Sequence, residues 1–362
     1  MTFDSSRREF FARLAFGVSL LPPLARAPRS VWSQLLFDPD APRVPAKPVH
    51  PNVFTRNGKA LVVMIHGKEV RAMLEAGLAL LGGIERLDIN DKRVLIKPNV
   101  LNDRPPPSTT SARVVEAVVE TVRQAGARQV TVADGSGIIR LPTAGNLIAT
   151  GIQAAAQRAG ATVLALEEQP WVSVEPAQAR AIPRYYLSQP VYDADVLVNV
   201  PVIKTHRFAE YSCSLKNIVG AVHPRYRPSV TFLSGNWHER IAELNLAVHP
   251  QLTIADGTTV MIAGGPTSGT QAAADLLLLS GDRVALDIVA LGLLRAYGAS
   301  PKIQGKRIEA QRQIRRAAEL GLGLGEARRI ELLTQSIERS TPDFERLVDR
   351  IRRDVFDEGG KR

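Results

Sequence analysis

The sequence predicts an α/β fold with a mostly parallel sheet and helices on both faces of that sheet. Apolar residues make up 45% and aromatic residues only 5% of the 362 residues, so aliphatic side chains supply the core. Strand-like and helix-like segments alternate along the chain. The strand-like segments are continuous apolar runs, which are typical of strands buried on both faces.

The N-terminal segment, residues 1–27, resembles a twin-arginine export signal. Paired arginines at positions 7 and 8 precede a modest apolar stretch and the small-x-small cleavage site Ala25-Arg26-Ala27. The apolar stretch is too short to span a membrane. We therefore expect recognition by the twin-arginine export machinery and a periplasmic or secreted location. We do not expect an integral membrane protein.

A Pro-rich leader, residues 28–57, precedes the predicted α/β domain at residues 58–302. Dense prolines disfavour both helices and inner strands, so we expect an exposed leader or a wrapping arm. The predicted strands are 60–67, 93–101, 129–137, 161–168, 193–203 and 252–264. The predicted helices are 70–83, 112–127, 146–160 and the second part of 276–298. Alternating charges predict a charged helical C-terminal segment over residues 303–362.

The charge balance and the cysteine count narrow the function classes. The net charge is +10, but no basic block is interleaved with aromatic residues, so we expect no nucleic-acid partner. The excess positive charge is better explained by attraction for a small anionic ligand. The single cysteine, Cys213, excludes an intrachain disulfide and an iron–sulfur cluster built by this chain alone. The oligomeric state is left open.

Polar side chains follow the predicted strands, where ligands of open parallel sheets bind. The residues concerned are Lys97 and Asn99, Asp134 and Ser136, Lys204 and His206, and Asp256. Two of these strands end in the same Ala-Asp-Gly form, at 133–135 and 255–257. We expect these side chains to meet at one edge of the sheet if the strands are parallel.

The residue types at this edge indicate an anion site. Lysines act as point charges toward carboxylates and phosphates, so Lys97, Lys204 and Lys216 are predicted to hold the ligand. His206 is predicted to be a general base or a metal ligand, with Lys204 as its catalytic neighbour. The lysine should lower the pKa of His206 by like-charge repulsion and keep the imidazole neutral.

The segment SCSLKN, residues 212–217, is predicted to be the first turn of a helix. A cap by Ser212 or Ser214 would leave N–H groups that favour an anion. The predicted ligand-binding set is therefore Lys97, Asn99, Ser136, Ser214, Lys216 and Asn217. A divalent cation, preferably Mg²⁺, is predicted at Asp134 and Asp256, because hard cations prefer carboxylate oxygen. The alternative is that each Asp-Gly pair is a turn former.

Several segments together resemble the family called domain of unknown function 362. They are VLIKPNVL, TTSARVVEAVVETVRQAGA, VTVADGSG, DADVLVNVPVIKTH and SCSLKNIVGAV, in this order. The resemblance covers roughly residues 60–300. The family pattern falls on Lys97, Asn99, Asp134, Lys204, His206, Lys216 and Asn217. The resemblance implies redox work only for members with ferredoxin-like cysteine clusters, which this chain lacks.

These observations lead to one functional prediction and two alternatives. We predict an exported enzyme that acts on a small carboxylate or phosphate at the C-terminal edge of the sheet. The first alternative is a non-catalytic binding or carrier protein for a cofactor or metal. The second is a redox-partner protein related to the iron–sulfur members of the family.

Overall fold

The computed structural model describes residues 37–227, 235–338 and 342–357. The predicted export signal and residues 28–36 of the predicted leader lie outside these ranges. The strands of the described part are β1 (Arg43–Val44), β2 (Thr55–Arg56), β3 (Lys59–His66), β4 (Arg93–Pro98), β5 (Gln129–Asp134), β6 (Thr162–Ala165), β7 (Trp171–Val174), β8 (Tyr185–Ser188), β9 (Val196–Val200), β10 (Val202–His206), β11 (Glu210–Ser212), β12 (Leu252–Gly264), β13 (Gly269–Ser280) and β14 (Ile330–Ser336).

The α-helices connect these strands and follow the predicted alternation closely. They are α1 (Val70–Leu81), α2 (Ala112–Gln124), α3 (Thr143–Ala149), α4 (Ile152–Arg158), α5 (Gln189–Asp193), α6 (Ser214–Asn217), α7 (Trp237–Glu243), α8 (Arg283–Ala296), α9 (Pro301–Gln304), α10 (Arg312–Glu319) and α11 (Pro342–Phe356). One predicted helix, 146–160, is divided into α3 and α4 at Gly151, whose φ of 75° breaks the helical path.

The main sheet has the strand order β14-β3-β13-β12-β9-β4-β5-β6. Along this path five of the seven neighbouring pairs are parallel, and the two antiparallel pairs are those of β13 with β12 and with β3. Off the path, β10 pairs in parallel with β12, while β11 and β2 pair antiparallel with β10 and β3. The predicted α/β fold with a mostly parallel sheet is therefore confirmed. The pair of β12 with β13 is antiparallel because these two consecutive strands form a hairpin.

Apolar layers cover both faces of this sheet, which explains the continuous apolar strands. On one face, α1, α2 and α4 pack against Ile96, Val132 and Val198. On the other face, the fully apolar middle of α8 packs with α10 and α11. A second, three-stranded sheet of order β1-β7-β8 covers the part of that face around Leu95 and Leu197.

Both flanks of the α/β domain contact the sheet. The described part of the leader contributes β1, which runs parallel to β7, and β2, which forms a hairpin with β3. The C-terminal segment is mostly helical but also contributes β14, an edge strand parallel to β3, where the sequence predicted a helical segment. Among the residues that the structure describes, no helix combines the length and the apolar character needed to cross a membrane.

Candidate functional site

The candidate site is built on a row of polar side chains that crosses three parallel strands. Lys97 of β4 is in register with Asn199 of β9, and Asn199 is in register with Thr253 of β12. Directly paired residues project to the same face of a sheet. Leu95 and Leu197, two residues earlier, lie in the apolar core on that face. The polar row therefore continues an apolar face at the carboxyl end of the strands.

Lys97 forms a buried ion pair with Asp134, the last residue of β5. The second carboxylate oxygen of Asp134 accepts a hydrogen bond from the N–H of Val100 at 2.6 Å. Burial lowers the pKa of Lys97, and the carboxylate of Asp134 offsets part of that effect. Each member of such a pair keeps its charge in the interior only because the other is present.

Arg227 is buried and holds the backbone beside this ion pair. Its guanidinium donates to the carbonyl oxygens of Gly135, Ser136 and Gly220. A Cβ on Gly220 would lie 2.8 Å from the Nζ of Lys97, so only glycine leaves room for the lysine. Arg227 also adds a second positive charge, which contributes to the lowered pKa of Lys97.

Asn217 ties the end of β4 to the turn that follows β11. Its Nδ2 donates to Asn199 Oδ1 at 2.8 Å and to the carbonyl oxygens of Lys97 and Pro98 at 3.2 Å. Its Oδ1 accepts from Asn99 Nδ2 at 3.1 Å. Both ends of the Asn217 amide are thus engaged within the protein, which gives this residue a positioning role.

Lys204 lies inside β10 and is buried, whereas the sequence placed it after the end of a strand. Its Nζ donates to Asn99 Oδ1 at 2.8 Å and to the carbonyl oxygen of Ser108 at 2.7 Å. Burial, and then the charge of Lys216, hold the pKa of Lys204 well below its usual value. Because an ammonium has three donors, the charged form of Lys204 keeps one N–H for a further acceptor.

Lys216 is the least enclosed of the three lysines. It is partly buried, whereas Lys97 and Lys204 are fully buried. Within the described ranges, the Nζ of Lys216 donates no hydrogen bond. Burial and the charges of Arg227 and Lys97 lower the pKa of Lys216 to about 8. The site therefore contains an amine that changes charge close to neutral pH.

His206 is the last residue of β10 and is held by the backbone that follows it. Its Nδ1 accepts from the N–H groups of Phe208 at 3.2 Å and Ala209 at 3.1 Å. Burial, and then the charges of Lys216 and Lys204, hold the pKa of His206 well below its usual value. The imidazole is therefore neutral and carries its proton on Nε2. In this arrangement Nε2 is a donor, whereas the sequence-based prediction was a general base or a metal ligand.

The first two N–H groups of the turn at Ser214–Asn217 are already occupied, whereas the prediction left them for a ligand. Asp287 of α8 accepts from the N–H of Ser214 at 2.7 Å and from that of Leu215 at 3.2 Å. The residue at the N-cap position is Cys213, and no serine side chain caps the turn. A carboxylate from a distant helix thus occupies the place of the predicted anion. Burial raises the pKa of Asp287 to about 7.

Asp134 and Asp256 are not brought together. Asp256 lies inside β12, and its carboxylate accepts from the N–H of Ser111 and from the N–H and hydroxyl of Thr258 at 2.7–3.0 Å. Strands β9 and β4 separate β12 from β5, which corresponds to roughly 14 Å at about 4.8 Å per strand. Oxygen ligands lie about 2.0–2.6 Å from Mg²⁺ or Ca²⁺, so the two carboxylates do not share one ion.

Asp134 and Asp256 therefore do not form a shared cation site, and the divalent cation stays a prediction. In the part of the chain that the structure describes, no group of three or more His, Cys, Asp or Glu residues is arranged to hold a metal ion.

The two predicted serines are also engaged within the protein. Ser136 Oγ donates to the carbonyl oxygen of Val100 at 2.7 Å, and Ser214 Oγ accepts from Asn199 Nδ2 at 3.1 Å. Sequence reasoning missed Asn199 and Arg227. Asn199 had a local signal, because it is a single amide inside the apolar run VLVNVPV. No local pattern distinguished Arg227 from the other arginines.

The family model described as "Domain of unknown function (DUF362)" matches residues 94–292, which is more than half of the chain. The chain belongs to the DUF362 family. This match includes the polar row, all three lysines and His206, so the predicted family resemblance is confirmed.

Two further similarities were found. The chain is 28% identical over 241 residues to a thylakoid-associated protein of Synechocystis sp., covering 62% of this chain and 70% of that protein. Among solved structures, the lactate racemase apoprotein of Thermoanaerobacterium thermosaccharolyticum aligns with a TM-score of 0.40 and 10% identity. That alignment covers 82% of this chain and 87% of the other chain, and a similarity of this size supports no conclusion about function.

Proposed function

We propose that this DUF362 protein is an exported enzyme that binds a small carboxylate or phosphate beside Lys216. The observation that carries the proposal is the convergence of positive charge around an amine without an acceptor. Arg227 and Lys97 are buried close enough for their charges to lower the pKa of Lys216, and the charge of Lys216 in turn lowers the pKa of Lys204. A bound anion would relieve this repulsion.

The donors available to an anion differ between the three lysines. Lys216 has all its N–H groups available within the described residues, while the charged form of Lys204 has one left. The neutral His206 adds an Nε2–H donor from the same part of the structure. Charge-assisted hydrogen bonds of this kind are the stronger ones in proteins.

Lys216 also favours an enzyme over a carrier. With a pKa of about 8, its amine exists in both protonation states near neutral pH. A group of that kind gives up and takes back a proton readily, which general acid–base catalysis requires. A carrier needs only the charged form, and an arginine would serve it equally well.

Anion affinity tests the proposal. Phosphate and acetate are titrated by calorimetry into the purified protein, the Lys216→Ala variant, the Lys216→Arg variant and a control with the exposed lysine replaced, Lys68→Ala. We expect Lys216→Ala to weaken binding about tenfold to a hundredfold, as the loss of a charge-assisted hydrogen bond does. Lys216→Arg and Lys68→Ala should bind nearly as well as the wild type.

The pH dependence gives an independent check. Anion affinity should fall as the pH rises through about 8, because Lys216 loses its charge there. In Lys216→Arg this decline should be much smaller, since a guanidinium stays charged across the range. Anion affinity that is unaffected by both Lys216 variants would refute the anion site.

Export and the cation are tested separately. Replacement of both Arg7 and Arg8 by lysine should retain the protein in the cytoplasm, whereas the wild type should be found outside it and begin near Pro28. A wild type that stays cytoplasmic would contradict the export part.

Metal analysis of the purified protein checks the predicted cation. A loss of turnover in Lys216→Arg, with anion binding retained, would favour the enzyme over the carrier.

A further inference from the structure

Lys216 differs from Lys97 and Lys204 in its exposure to solvent and in its hydrogen bonding. Lys97 and Lys204 are fully buried, and each donates to two acceptors. Lys216 is reached by solvent and has no acceptor in the part of the chain that the structure describes. A lysine that only held the charge balance of the interior would be paired. This one is available for a reaction.

We infer that Lys216 forms an imine with the carbonyl group of an oxo acid, a substrate that carries a carbonyl carbon next to its carboxylate. The inference rests on the proposed function and names the class of its ligand. The nitrogen lone pair of the neutral amine attacks the carbonyl carbon and forms a C–N bond. The carbonyl oxygen then leaves as water with the two protons of the amine. No oxidant or reductant takes part in this step.

The surroundings of Lys216 suit both halves of such a molecule. The positive charges of Arg227 and Lys97 act on Lys216, so they would also act on a carboxylate bound beside it. The N–H that remains on charged Lys204 and the Nε2–H of His206 are donors for the carbonyl oxygen as negative charge develops there.

The charge state of Lys216 supports the reaction. Only the neutral amine attacks a carbonyl, and cationic neighbours together with burial favour that form. With a pKa of about 8, Lys216 is about half neutral at pH 8. A lysine at its ordinary pKa of about 10.4 is then neutral roughly a hundredfold less often.

Cys213, the chain's single thiol, is not the competing nucleophile. It is fully buried, and burial together with Asp287 holds its pKa well above the usual value. A thiol without solvent access and without thiolate character is unreactive.

Reductive trapping tests the inference. The purified protein is incubated at pH 8 with pyruvate, glyoxylate or 2-oxoglutarate and sodium cyanoborohydride, which converts an imine into a stable secondary amine. Peptide mass spectrometry then locates the label. We expect the label on Lys216 far above that on the exposed Lys68, and a loss of that label in Lys216→Arg. Propionate, which has a carboxylate but no carbonyl, should compete with the trapping.

The Lys216→Arg variant separates this inference from the proposed function. Arginine retains the positive charge but has no primary amine, so propionate binding should remain while trapping disappears. Propionate binding that depends on Lys216, with no preferential label from any of the three oxo acids, overturns the imine and leaves the anion site standing. Propionate binding that is the same in wild type, Lys216→Arg and Lys216→Ala overturns the anion site. The melting temperature of each variant shows that it is folded.

Discussion

The two Ala-Asp-Gly segments, residues 133–135 and 255–257, have nearly the same local sequence and different surroundings. Asp134 ends β5 and forms an ion pair with Lys97. Asp256 lies within β12 and accepts from neutral donors, the backbone of Ser111 and the backbone and hydroxyl of Thr258. One carboxylate therefore balances a charge at the candidate site, and the other anchors a loop.

The comparison shows that a short local motif does not specify a function. Both aspartates are buried, so both must have partners. The group that pairs with each aspartate is decided by the segment that packs beside it. β4 lies beside β5 and presents Lys97, whereas the backbone of Ser111 at the start of α2 reaches Asp256. Three predictions test how far the two sites differ.

The largest difference is expected from removing each negative charge. Asp134→Asn leaves the ammonium of Lys97 buried without its counter-ion and should lower the free energy of unfolding by about 3–5 kcal/mol. Asp256→Asn keeps an oxygen acceptor and should lose only about 1–3 kcal/mol. Urea denaturation at pH 7 measures both values.

A double variant controls for the charge. Lys97→Met combined with Asp134→Asn removes the unpaired ammonium and should recover part of the stability lost in Asp134→Asn alone. Equal losses in the two single asparagine variants would show that the ion pair does not distinguish the sites.

The glycine that follows each aspartate should also tolerate replacement by alanine to a different extent. A Cβ on Gly135 would lie 2.5 Å from Arg227 Nη2 and from the carbonyl oxygen of Gly220, whereas one on Gly257 would lie 3.1 Å from its nearest neighbour, the carbonyl oxygen of Leu276. Neither glycine has a positive φ, so steric overlap is the expected cause.

Gly135→Ala should therefore cost about 1–3 kcal/mol through overpacking. Gly257→Ala should cost less, and thermal unfolding compares the two. Gly135→Ala should also weaken acetate binding, because it displaces Arg227 beside the lysines. A larger loss of stability in Gly257→Ala would contradict the packing argument.

The smallest effect is expected in the pH dependence of stability. Burial raises the pKa of Asp256 in the native state above the usual value of 3.8. Because the native state then binds the proton more tightly than the unfolded chain, the free energy of unfolding should fall as the pH rises above 3.8 and level off above the raised pKa. Asp256→Asn should remove this component of the pH profile. A wild-type profile identical to that of Asp256→Asn would contradict the expected shift.

Much of the fold could be predicted from local pattern. Continuous apolar runs predicted β3, β4, β5, β9 and β12 within a few residues, because a strand covered on both faces has few solvent-facing positions. The edge strand β6 was also predicted, although three of its four residues are exposed or only partly buried. The antiparallel β13 and the edge strand β14 were harder to predict. The first half of β13 and much of β14 are only partly buried or exposed, so their sequences lack the apolar continuity of the inner strands.

The sequence by itself determined the α/β class and the family, because apolar runs and helical periodicity are local patterns. It predicted Lys97, Lys204 and Lys216 after the carboxyl ends of buried strands, whereas Lys204 lies inside β10. Only the tertiary structure decided which lysine is unpaired. Asp134 is bound to Lys97, and Asp287 occupies the N–H groups of the turn before Lys216. Hydrogen-bond partners far apart in the chain are chosen by packing, and no local pattern records that choice.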